Sequence, residues 1–447
     1  MTPTPAIPRS HLPRERGVPQ LFQVLDCAIP LRPPARHSLE GVQEVRIGRG
    51  EGCVREGSAL RLGVADLSMS GSHARLRLGT EGFHAEDSGS TNGTFVNGQP
   101  ILECPLADGD VLEMGHTHFL FRSGLPHVAL PQPEHPALAT LSPALAAGFA
   151  SVPALARSAL PVVIGGETGT GKELLARALH DLSARPGPFL AVNCAALAPT
   201  LLESEIFGHR RGAFTGAQEG RPGLVRAADG GTLFLDEVAD LSPAGQAALL
   251  RVLQEGEVLP VGSTEPVRVD VRVVAASHVE LEQAVAAGRF RADLYARIAG
   301  FTLRLPPLRR RREDLGLLVA AIQRKAGAIS ARFTPEAGRA LLRHRWPLNV
   351  RELERCVRLA LALCGGLPID LCHLPESVTR PAVPGAAIPG LRPRKLSPTD
   401  LQMRDRLSSL LRDNGGNVAA VARALGKARM QVHRWVKRFD LSLADYR

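Results

Sequence analysis

Hydrophobic and polar positions alternate over short stretches in the first quarter of the chain. Glu44–Ile47 and Ala74–Leu78 show the two-residue period of strands with one buried face. Segments rich in Gly, Asn and Asp separate such stretches, and no long helical period occurs between residues 21 and 125. The pattern predicts an all-β domain at 21–125, preceded by a disordered leader at residues 1–20 that is rich in Pro and Arg.

Apolar stretches alternate with helical periods between residues 138 and 378. Four of these stretches lead directly into polar residues, namely Pro161–Ile164, Phe189–Val192, Thr232–Leu235 and Val271–Ala276. Alternation of strand and helix is typical of a parallel sheet whose functional site lies at the carboxyl ends of the strands. We therefore predict an α/β domain over residues 138–378.

Two Pro-rich stretches, residues 126–137 and 379–395, are predicted linkers. Beyond them, residues 396–447 have a helical pattern. Asn417 is placed to cap a short helix that Gly426 ends. One face of that helix is apolar, with Val418, Val421, Ala422 and Leu425. A second helix follows, with Val432, Trp435, Val436 and Phe439 facing inward.

Composition narrows the choice of partners and compartment. The formal net charge is +10, which fits a nucleic-acid partner, although an arginine-rich composition alone also produces such an excess. Seven scattered cysteines form no CxxC pair, which favours reduced thiols and a cytoplasmic protein. No stretch of 18 or more apolar residues occurs, and the N-terminus lacks the apolar region of a signal peptide, so we predict no membrane span.

A glycine-rich segment follows the apolar stretch that ends at Ile164 and precedes a helical stretch. This is the sequence context of a P-loop, in which backbone N–H groups surround phosphate oxygens and a lysine reaches the β and γ phosphates. The predicted ATP-binding residues here are Gly166, Glu167, Thr168, Gly169, Thr170, Gly171, Lys172 and Glu173. Glu173 stands where most P-loops have a Ser or Thr hydroxyl for magnesium.

An acidic pair, Asp236 and Glu237, ends the apolar stretch that begins at Thr232. An acidic pair alone is commonly a solvated loop. After a P-loop, at the end of a buried strand, it predicts catalysis: Asp236 is expected to hold Mg²⁺ through water, and Glu237 to polarise the attacking water.

These motifs resemble the AAA+ domain of sigma-54-dependent transcriptional activators, whose P-loop ends in Gly-Lys-Glu. The resemblance extends over residues 138–378 and includes Pro188–Ala196 and the hallmark Gly-Ala-Phe-Thr-Gly-Ala at 212–217. It implies that ATP is hydrolysed between the subunits of an oligomer, from a dimer up to a hexameric ring. The loop that it implies as the sigma-54 contact comprises Gly212, Ala213, Phe214, Thr215, Gly216 and Ala217.

The composition of this loop is unlike that of a core segment. It combines small residues with one aromatic and one hydroxyl side chain, Phe214 and Thr215, and follows basic residues. A loop tip of this kind suits insertion into a partner, while an ordinary surface hairpin is the alternative.

Single residues also match the activator family. Arg291 and Arg297 match its trans-acting arginines, although helix salt bridges are the alternative for either one. His278 ends the sensor strand, where the family more often has Asn, and Arg351 matches the nucleotide sensor of the lid. Leu348 is a departure, because the family usually has Gly at this position, and the local turn is therefore in question.

The N-terminal domain resembles a forkhead-associated (FHA) domain, a β-sandwich whose loops bind phosphothreonine. The matching segments are Gly48-Arg49, Ser70–His73 and Ser90–Gly98. The resemblance implies that Arg49, Ser70, Thr91 and Asn92 bind the phosphopeptide, whereas His73 and Asn97 brace loops. Gly71 departs from the family, which often has Arg or Asn there, so a docking domain that does not read phosphate is the alternative.

The C-terminal helix pair resembles the Fis-type helix-turn-helix domain that ends this activator family. Its second helix has a basic face, and this geometry suits the major groove of DNA. The predicted DNA-binding residues are Lys427, Arg429, Gln431, Arg434 and Lys437.

Together these features predict three domains: a β-sandwich, an α/β AAA+ P-loop ATPase with a helical lid, and an all-α helix-turn-helix domain. The predicted function is activation of sigma-54 RNA polymerase from an upstream DNA site, with ATP and Mg²⁺ as cofactors and a phosphothreonine protein from a Ser/Thr kinase pathway as the input. One alternative is a DNA-binding regulator whose ATPase no longer acts on sigma-54, and the intact loop argues against it. The other is an ATPase that remodels a different protein, against which the basic C-terminal helix argues.

Overall fold

The structure is a computed structural model of the 447-residue chain. It describes residues 17–126, 132–196, 198–213, 217–380, 392–393, 398–426 and 432. These residues divide into two compact units, 1–391 and 392–447. Among the described residues, no helix is long and apolar enough to cross a membrane.

The first domain is built from eleven strands, which confirms the all-β prediction. Their order across the sheet is β2-β1-β11-β10-β8-β9-β7-β6-β3-β5-β4. The bounds are β1 Val18–Asp26, β2 Ala35–Ser38, β3 Glu44–Arg49, β4 Cys53–Glu56, β5 Ala59–Val64, β6 Ala74–Gly79, β7 Gly82–Asp87, β8 Thr94–Val96, β9 Gln99–Pro105, β10 Val111–Met114 and β11 Thr117–Leu125.

Strand β1 begins at Val18, so the predicted leader is three residues too long at its end. Residues 18–20 belong to the sheet because Val18 and Gln20 pair with β11 and Gln20 also pairs with Ser38 of β2. The first sixteen residues of the predicted leader lie outside the described residues.

The second domain has the predicted parallel sheet. Its strand order is β13-β14-β17-β12-β18, and every neighbouring pair is parallel. The strands are β12 Val162–Gly165, β13 Phe189–Asn193, β14 Thr232–Asp236, β17 Arg272–Ser277 and β18 Phe301–Arg304. A small antiparallel pair, β15 Glu257–Val258 and β16 Val267–Arg268, lies outside it. Edge strand β18 was not predicted from the sequence.

Helices cover the sheet and bring its apolar faces into two buried cores. The first group is α1 Pro143–Phe149, α2 Val152–Arg157, α3 Lys172–Asp181, α4 Pro199–Phe207, α5 Leu224–Ala227, α6 Pro243–Glu255, α7 Leu281–Ala286 and α8 Ala292–Ile298. The lid follows, with α9 Leu315–Lys325, α10 Pro335–Arg343, α11 Asn349–Leu363 and α12 Glu376–Thr379.

The β-domain packs directly on the lid, and the two share one hydrophobic core. Phe22, Val24 and Leu120 of the β-domain lie in the same buried cluster as Leu315 and Leu341 of the lid. The approach is close at Gly316 of α9, where an added Cβ would lie 1.8 Å from the carbonyl oxygen of Val24. Only glycine fits there, because backbone from the other domain occupies the space.

The second unit contains the two-residue strand β19 Arg392–Pro393 and the helices α13 Pro398–Asp413 and α14 Val418–Ala424. Asn417 caps α14 by accepting hydrogen bonds from the backbone N–H groups of Ala419 and Ala420, which confirms the predicted cap. Val418, Val421, Ala422 and Val432 are buried with Leu407 and Leu411 in one cluster. Of the predicted second helix, the structure describes Val432.

Candidate functional site

The P-loop joins the end of β12 to the start of α3. Gly166, Gly169 and Gly171 have φ angles of 157°, 78° and 106°, in the region that favours glycine. At Gly169 an added Cβ would also lie 2.3 Å from the carbonyl oxygen of Leu348 in the lid. The first N–H groups of α3, beginning at Lys172, have no acceptor within the helix and are available to an anion. The loop therefore has the backbone of a phosphate cradle.

Lys172, Glu237 and His278 form a chain of polar contacts beside this cradle. Lys172 Nζ donates to the carbonyl oxygen of Gly166 at 3.0 Å and to Glu237 Oε1 at 3.1 Å. Glu237 Oε2 accepts from the backbone N–H of His278 at 3.0 Å and from His278 Nδ1 at 2.6 Å. Lys172 is 6% exposed, so its charge is held inside the site rather than in solvent.

The pKa of Glu237 reflects two opposing effects. Burial raises it, but the hydrogen bonds from His278 and Lys172 outweigh burial and hold the pKa below its usual range. The carboxylate is therefore ionised and can only accept, so His278 Nδ1 carries the proton in their hydrogen bond. Glu237 also has a positive φ of 54°, which is uncommon for a residue other than glycine.

Asp236 ends strand β14 next to Glu237. Burial raises the pKa of Asp236, with the charge of Glu237 adding to the rise and that of Lys172 opposing it. Among the described residues, no group of three or more His, Cys, Asp or Glu side chains could hold a metal ion. This donor set fits Mg²⁺ that is bound by one carboxylate, water and nucleotide phosphates, and it does not fit an all-protein cage.

Three side chains that the sequence analysis missed hold the P-loop from the lid side. Arg309 forms a bidentate ion pair with Glu167, with N···O distances of 2.6 and 2.8 Å. Asn349 Nδ2 donates to the carbonyl oxygen of Thr168 at 3.0 Å, and Arg311 donates to that of Thr170 at 2.7 Å. The Arg309 guanidinium is the main cause that lowers the pKa of Glu167 to about 2. The run of four arginines at 309–312 was the available signal in the sequence.

The remaining P-loop residues line the same region. Thr170 is buried, and its hydroxyl donates to the carbonyl oxygen of Glu167 at 2.8 Å, whereas Thr168 and Glu173 are exposed. A cleft of about 430 Å³ opens at the carboxyl ends of β12, β17 and β18, beside Gly166, Glu167 and His278. Its volume lies in the usual range of small-ligand pockets, roughly 300–1,000 Å³.

Arg351 lies where the lid meets the P-loop. Its backbone N–H donates to the carbonyl oxygen of Gly169 at 3.3 Å, and its charge lowers the pKa of Asp236 against the larger effect of burial. The turn before it accommodates Leu348, which has an ordinary φ of −100°. The positive φ angles of this turn fall on Trp346 and Asn349, at 52° and 57°. Glycine is therefore not required at position 348.

Arg291 and Arg297 lie at the start and within the last turn of α8, and both are exposed. Arg291 pairs with Asp293 of its own helix at 2.7 Å, and Arg297 donates to the carbonyl oxygen of Leu253 at 3.0 and 3.1 Å. Neither guanidinium donates to a P-loop residue within the described part of the chain. Both arginines therefore lie on the surface of their own subunit.

The base of the 212–217 loop is fixed by backbone hydrogen bonds. His209 and Arg221 pair in an antiparallel bridge, and Gly212 N–H donates to the carbonyl oxygen of Ala217 at 2.8 Å. Gly212, Ala213 and Ala217 are described, whereas Phe214, Thr215 and Gly216 lie outside the described residues. The chain thus leaves and rejoins the domain at one anchored point.

The predicted phosphopeptide residues converge at one end of the β-domain. Arg49 N–H donates to the carbonyl oxygen of Ser70 at 2.8 Å, and Thr91 N–H donates to Ser70 Oγ at 3.1 Å. Asn92 Nδ2 donates to the carbonyl oxygen of Ser68 at 2.7 Å. Arg49, Thr91 and Asn92 are exposed, so a guanidinium, a hydroxyl and an amide face solvent together.

Buried His73 fixes these loops from below. Its Nδ1 accepts from Ser70 N–H at 3.1 Å, so its Nε2 carries the proton and donates to the carbonyl oxygen of Gly93 at 3.2 Å. Burial lowers the pKa of His73 and keeps the ring neutral in this role. At Gly48 an added Cβ would lie 2.0 Å from the carbonyl oxygen of Gly71, so the loops pack too closely for any side chain there. An added Cβ at Gly71 itself would meet open space.

The five predicted DNA-binding residues, Lys427, Arg429, Gln431, Arg434 and Lys437, all lie outside the described residues. The described part of this unit provides the capped helix α14 and the buried cluster around it.

Comparisons with known proteins match the β-domain and the α/β domain with its lid. The family model of the sigma-54 interaction domain matches residues 138–304, that of the AAA+ ATPase lid domain matches 309–387, and that of the FHA domain matches 45–115. The crystal structure of NtrX from Brucella abortus in complex with ADP is similar, with 31% sequence identity and a TM-score of 0.50. The match covers 68% of this chain and 70% of that one. Residues 138–387 therefore form an AAA+ ATPase domain with its lid.

Three similar proteins carry the names of regulatory proteins. The transcriptional regulatory protein ZraR of Klebsiella oxytoca is 45% identical over 294 residues, which are 64% of this chain and 66% of that protein. The Nif-specific regulatory protein of Rhodobacter capsulatus is 52% identical over 229 residues, or 50% of this chain and 40% of that protein. The acetoin catabolism regulatory protein of Cupriavidus necator is 47% identical over 304 residues, or 66% of this chain and 45% of that protein.

The chain spans between 40% and 66% of the length of these relatives. It belongs to the AAA+ proteins that carry a sigma-54 interaction domain, and it combines that domain with an FHA domain.

Proposed function

We propose that this protein is a sigma-54-dependent transcriptional activator that couples ATP hydrolysis to remodelling of sigma-54 RNA polymerase. The observation that supports it best is the Lys172–Glu237–His278 arrangement beside a P-loop, within a domain of the sigma-54 interaction family. The protein binds an upstream DNA site through the basic C-terminal helix and receives its input from a phosphothreonine protein through the FHA domain.

Each side chain of the ATP site has a separate task in this proposal. The P-loop N–H groups and Lys172 bind the phosphates, and Asp236 holds Mg²⁺ through water. Through the Mg²⁺ that it would hold, Asp236 would bring positive charge to the β and γ phosphates. Glu237 accepts a hydrogen bond from the attacking water and so polarises it. The hydrogen bond from His278 orients the Glu237 carboxylate. Arg351 senses the nucleotide from the lid.

Two further parts of the proposal concern assembly and DNA. The exposed positions of Arg291 and Arg297 suit an oligomer, from a dimer to a hexameric ring, in which one subunit completes the site of its neighbour. Lys427, Arg429, Gln431, Arg434 and Lys437 contact the DNA from the second helix. The formal net charge of +10 supports a nucleic-acid partner of this kind.

The decisive experiment is transcription in vitro with sigma-54 polymerase, ATP and an upstream site. We expect Thr215→Ala to keep most of the ATPase activity and to lose activation. The loop leaves the domain at an anchored base, where Gly212 bonds to Ala217, so its tip can act mechanically without altering the ATP site. ATP turnover and transcript yield are measured on the same preparation.

Thr80→Ala is the matched control, since Thr80 is an exposed threonine in the turn between β6 and β7 of the other domain. It should leave both activities unchanged. Normal activation by the Thr215 variant would show that the sigma-54 contact lies elsewhere.

The FHA domain should discriminate phosphothreonine from threonine in peptides of the same sequence. Arg49→Ala in the full chain should weaken binding of the phosphorylated peptide by about tenfold or more, the usual cost of losing a charge-assisted hydrogen bond. Binding is measured by fluorescence anisotropy with phosphorylated and plain peptide libraries. Arg46→Ala is the control, because Arg46 lies on the same strand and pairs only locally, with Glu44 at 3.1 Å. Equal binding of both peptide forms would make this domain a docking module that does not read phosphate.

A further inference from the structure

Residues 309–313, which we name the arginine segment, lie between the P-loop and the FHA domain. The segment runs through two short 3-10 turns, Leu308–Arg310 and Arg312–Asp314, immediately before α9. Its side chains divide between two neighbours. Arg309 and Arg311 contact the P-loop, whereas Arg312 and Glu313 contact the FHA domain.

The contacts with the P-loop fix both its side chain and its backbone. Arg309 binds the Glu167 carboxylate with two hydrogen bonds, and Arg311 donates to the carbonyl oxygen of Thr170 at 2.7 Å. Arg311 is only 6% exposed. A shift of the segment would therefore pull on the loop two residues before Lys172.

The contacts with the FHA domain are equally specific. Arg312 donates to the carbonyl oxygen of Gly109 at 2.6 Å, ahead of β10. Glu313, which is 1% exposed, accepts from Arg122 of β11 at 3.2 Å. This ion pair compensates the buried carboxylate together with the nearby charges of Arg311 and Arg312, because an unpaired carboxylate in the interior is strongly disfavoured. The FHA domain therefore contributes to holding the segment in this position.

A second set of contacts ties the FHA domain to the lid away from the segment. Arg339 of α10 forms a bidentate pair with Glu113, with N···O distances of 2.6 to 2.9 Å. Arg343 donates to the carbonyl oxygen of Asn97 at 3.3 Å, five residues beyond the phosphopeptide residue Asn92. The FHA domain and the lid are thus joined by an ion pair and a backbone contact, with the arginine segment at their border with the P-loop.

We propose that the arginine segment couples the FHA domain to the nucleotide site, with Arg309 and Arg311 acting as positioning residues for the P-loop. The FHA domain sets the position of the segment through Gly109 and Arg122. The FHA domain then helps to determine nucleotide affinity, in addition to binding phosphopeptide. The coupling rests on the proposed function only for the identity of the signal, which is a phosphothreonine protein bound by the FHA domain.

The test is ADP binding by the full chain, measured calorimetrically without polymerase, DNA or phosphopeptide. Arg122→Ala changes only the FHA domain, yet it should weaken ADP binding about 5- to 150-fold, the usual size of coupling between two sites. Arg312→Ala should act in the same direction, and Arg312→Lys should restore part of the affinity because it keeps a donor for Gly109. Arg380→Ala, at an exposed lid arginine that pairs with Glu376, should have no effect.

Hydrogen exchange provides a readout that general loosening of the fold would not reproduce. Linkage is reciprocal, so saturating ADP should slow exchange in β10 and β11 of the wild-type protein. In Arg122→Ala, or in Arg312→Ala if that variant does not fold, ADP should still protect α3 but no longer β10 and β11. ADP affinity within twofold of wild type in both Arg122→Ala and Arg312→Ala, or unchanged protection of β10 and β11, would overturn the coupling. Because the assay needs no transcription, this result is separable from a failure of the proposed function.

Discussion

Replacing Lys172 by Ala is expected to abolish ATP hydrolysis, a fall of at least about 10³-fold. The ammonium group is buried and already directed into the site by its bonds to Gly166 and Glu237. It supplies the positive charge that holds the β and γ phosphates, and no other lysine of the described chain contacts the P-loop. The variant also leaves Glu237 without one of the two donors that keep its carboxylate ionised.

Turnover is measured by phosphate release at saturating ATP, together with the melting temperature of the nucleotide-free protein. Lys325→Ala is the matched control, since Lys325 is an exposed lid lysine that pairs with Glu354 at 3.5 Å. It should hydrolyse ATP normally. Full turnover by the Lys172 variant would remove the basis for the P-loop assignment.

The sequence predicted the central strands because each carries its own signal. Val162–Gly165, Thr232–Asp236 and Arg272–Ser277 are short, apolar and followed by polar residues. Edge strand Phe301–Arg304 was missed because its burial pattern is mixed, with three of its four residues exposed. A strand at the edge of a sheet packs on fewer neighbours, and its sequence is correspondingly less constrained.

The P-loop residues and the acidic pair were predictable because a local motif specifies their backbone. The contacts that residues distant in the sequence make with that motif were not predictable. Arg309 and Glu167 are 142 positions apart, and Asn349 and Thr168 are 181 apart. No periodicity links such positions, so only the packing of the lid on the sheet brings them together.

The packing of the FHA domain on the lid has a signal in the sequence of β1, from which we made no prediction. In β1, Leu21 and Phe22 are both buried, although adjacent residues of a strand face opposite sides, and they belong to the β-domain core and to the core shared with the lid, respectively. Apolar residues on both faces indicate that a strand is covered on both sides. One side is the core of the β-domain and the other is the lid, so the sequence of β1 already required a second partner.

The second large effect concerns the surface arginines of α8. Replacing Arg297 by Ala, and equally Arg291, is expected to lower ATP turnover by about 10³-fold or more if the side chain acts on the site of a neighbouring subunit. Arg297 lies in the last turn of its helix, and among the described residues its guanidinium hydrogen-bonds only to the carbonyl oxygen of Leu253 near the end of α6. Within one subunit it therefore has no role that would explain such a loss. Arg251→Ala, at a half-buried α6 arginine paired with Glu255, is the control and should retain activity.

Mixing distinguishes an arginine that acts in trans from one that only stabilises its own helix. The Lys172→Ala subunit has an intact Arg297, and the Arg297→Ala subunit has an intact P-loop, so each lacks what the other supplies. With random assembly of equal amounts into a closed ring, about one quarter of the interfaces combine both intact parts. Turnover should therefore rise from background to about a quarter of the wild-type value at equal amounts, and fall off on either side of that ratio. An arginine that acted within its own subunit would give no recovery at any ratio, because the Arg297→Ala subunit would still lack it and the Lys172→Ala subunit would still lack its P-loop lysine.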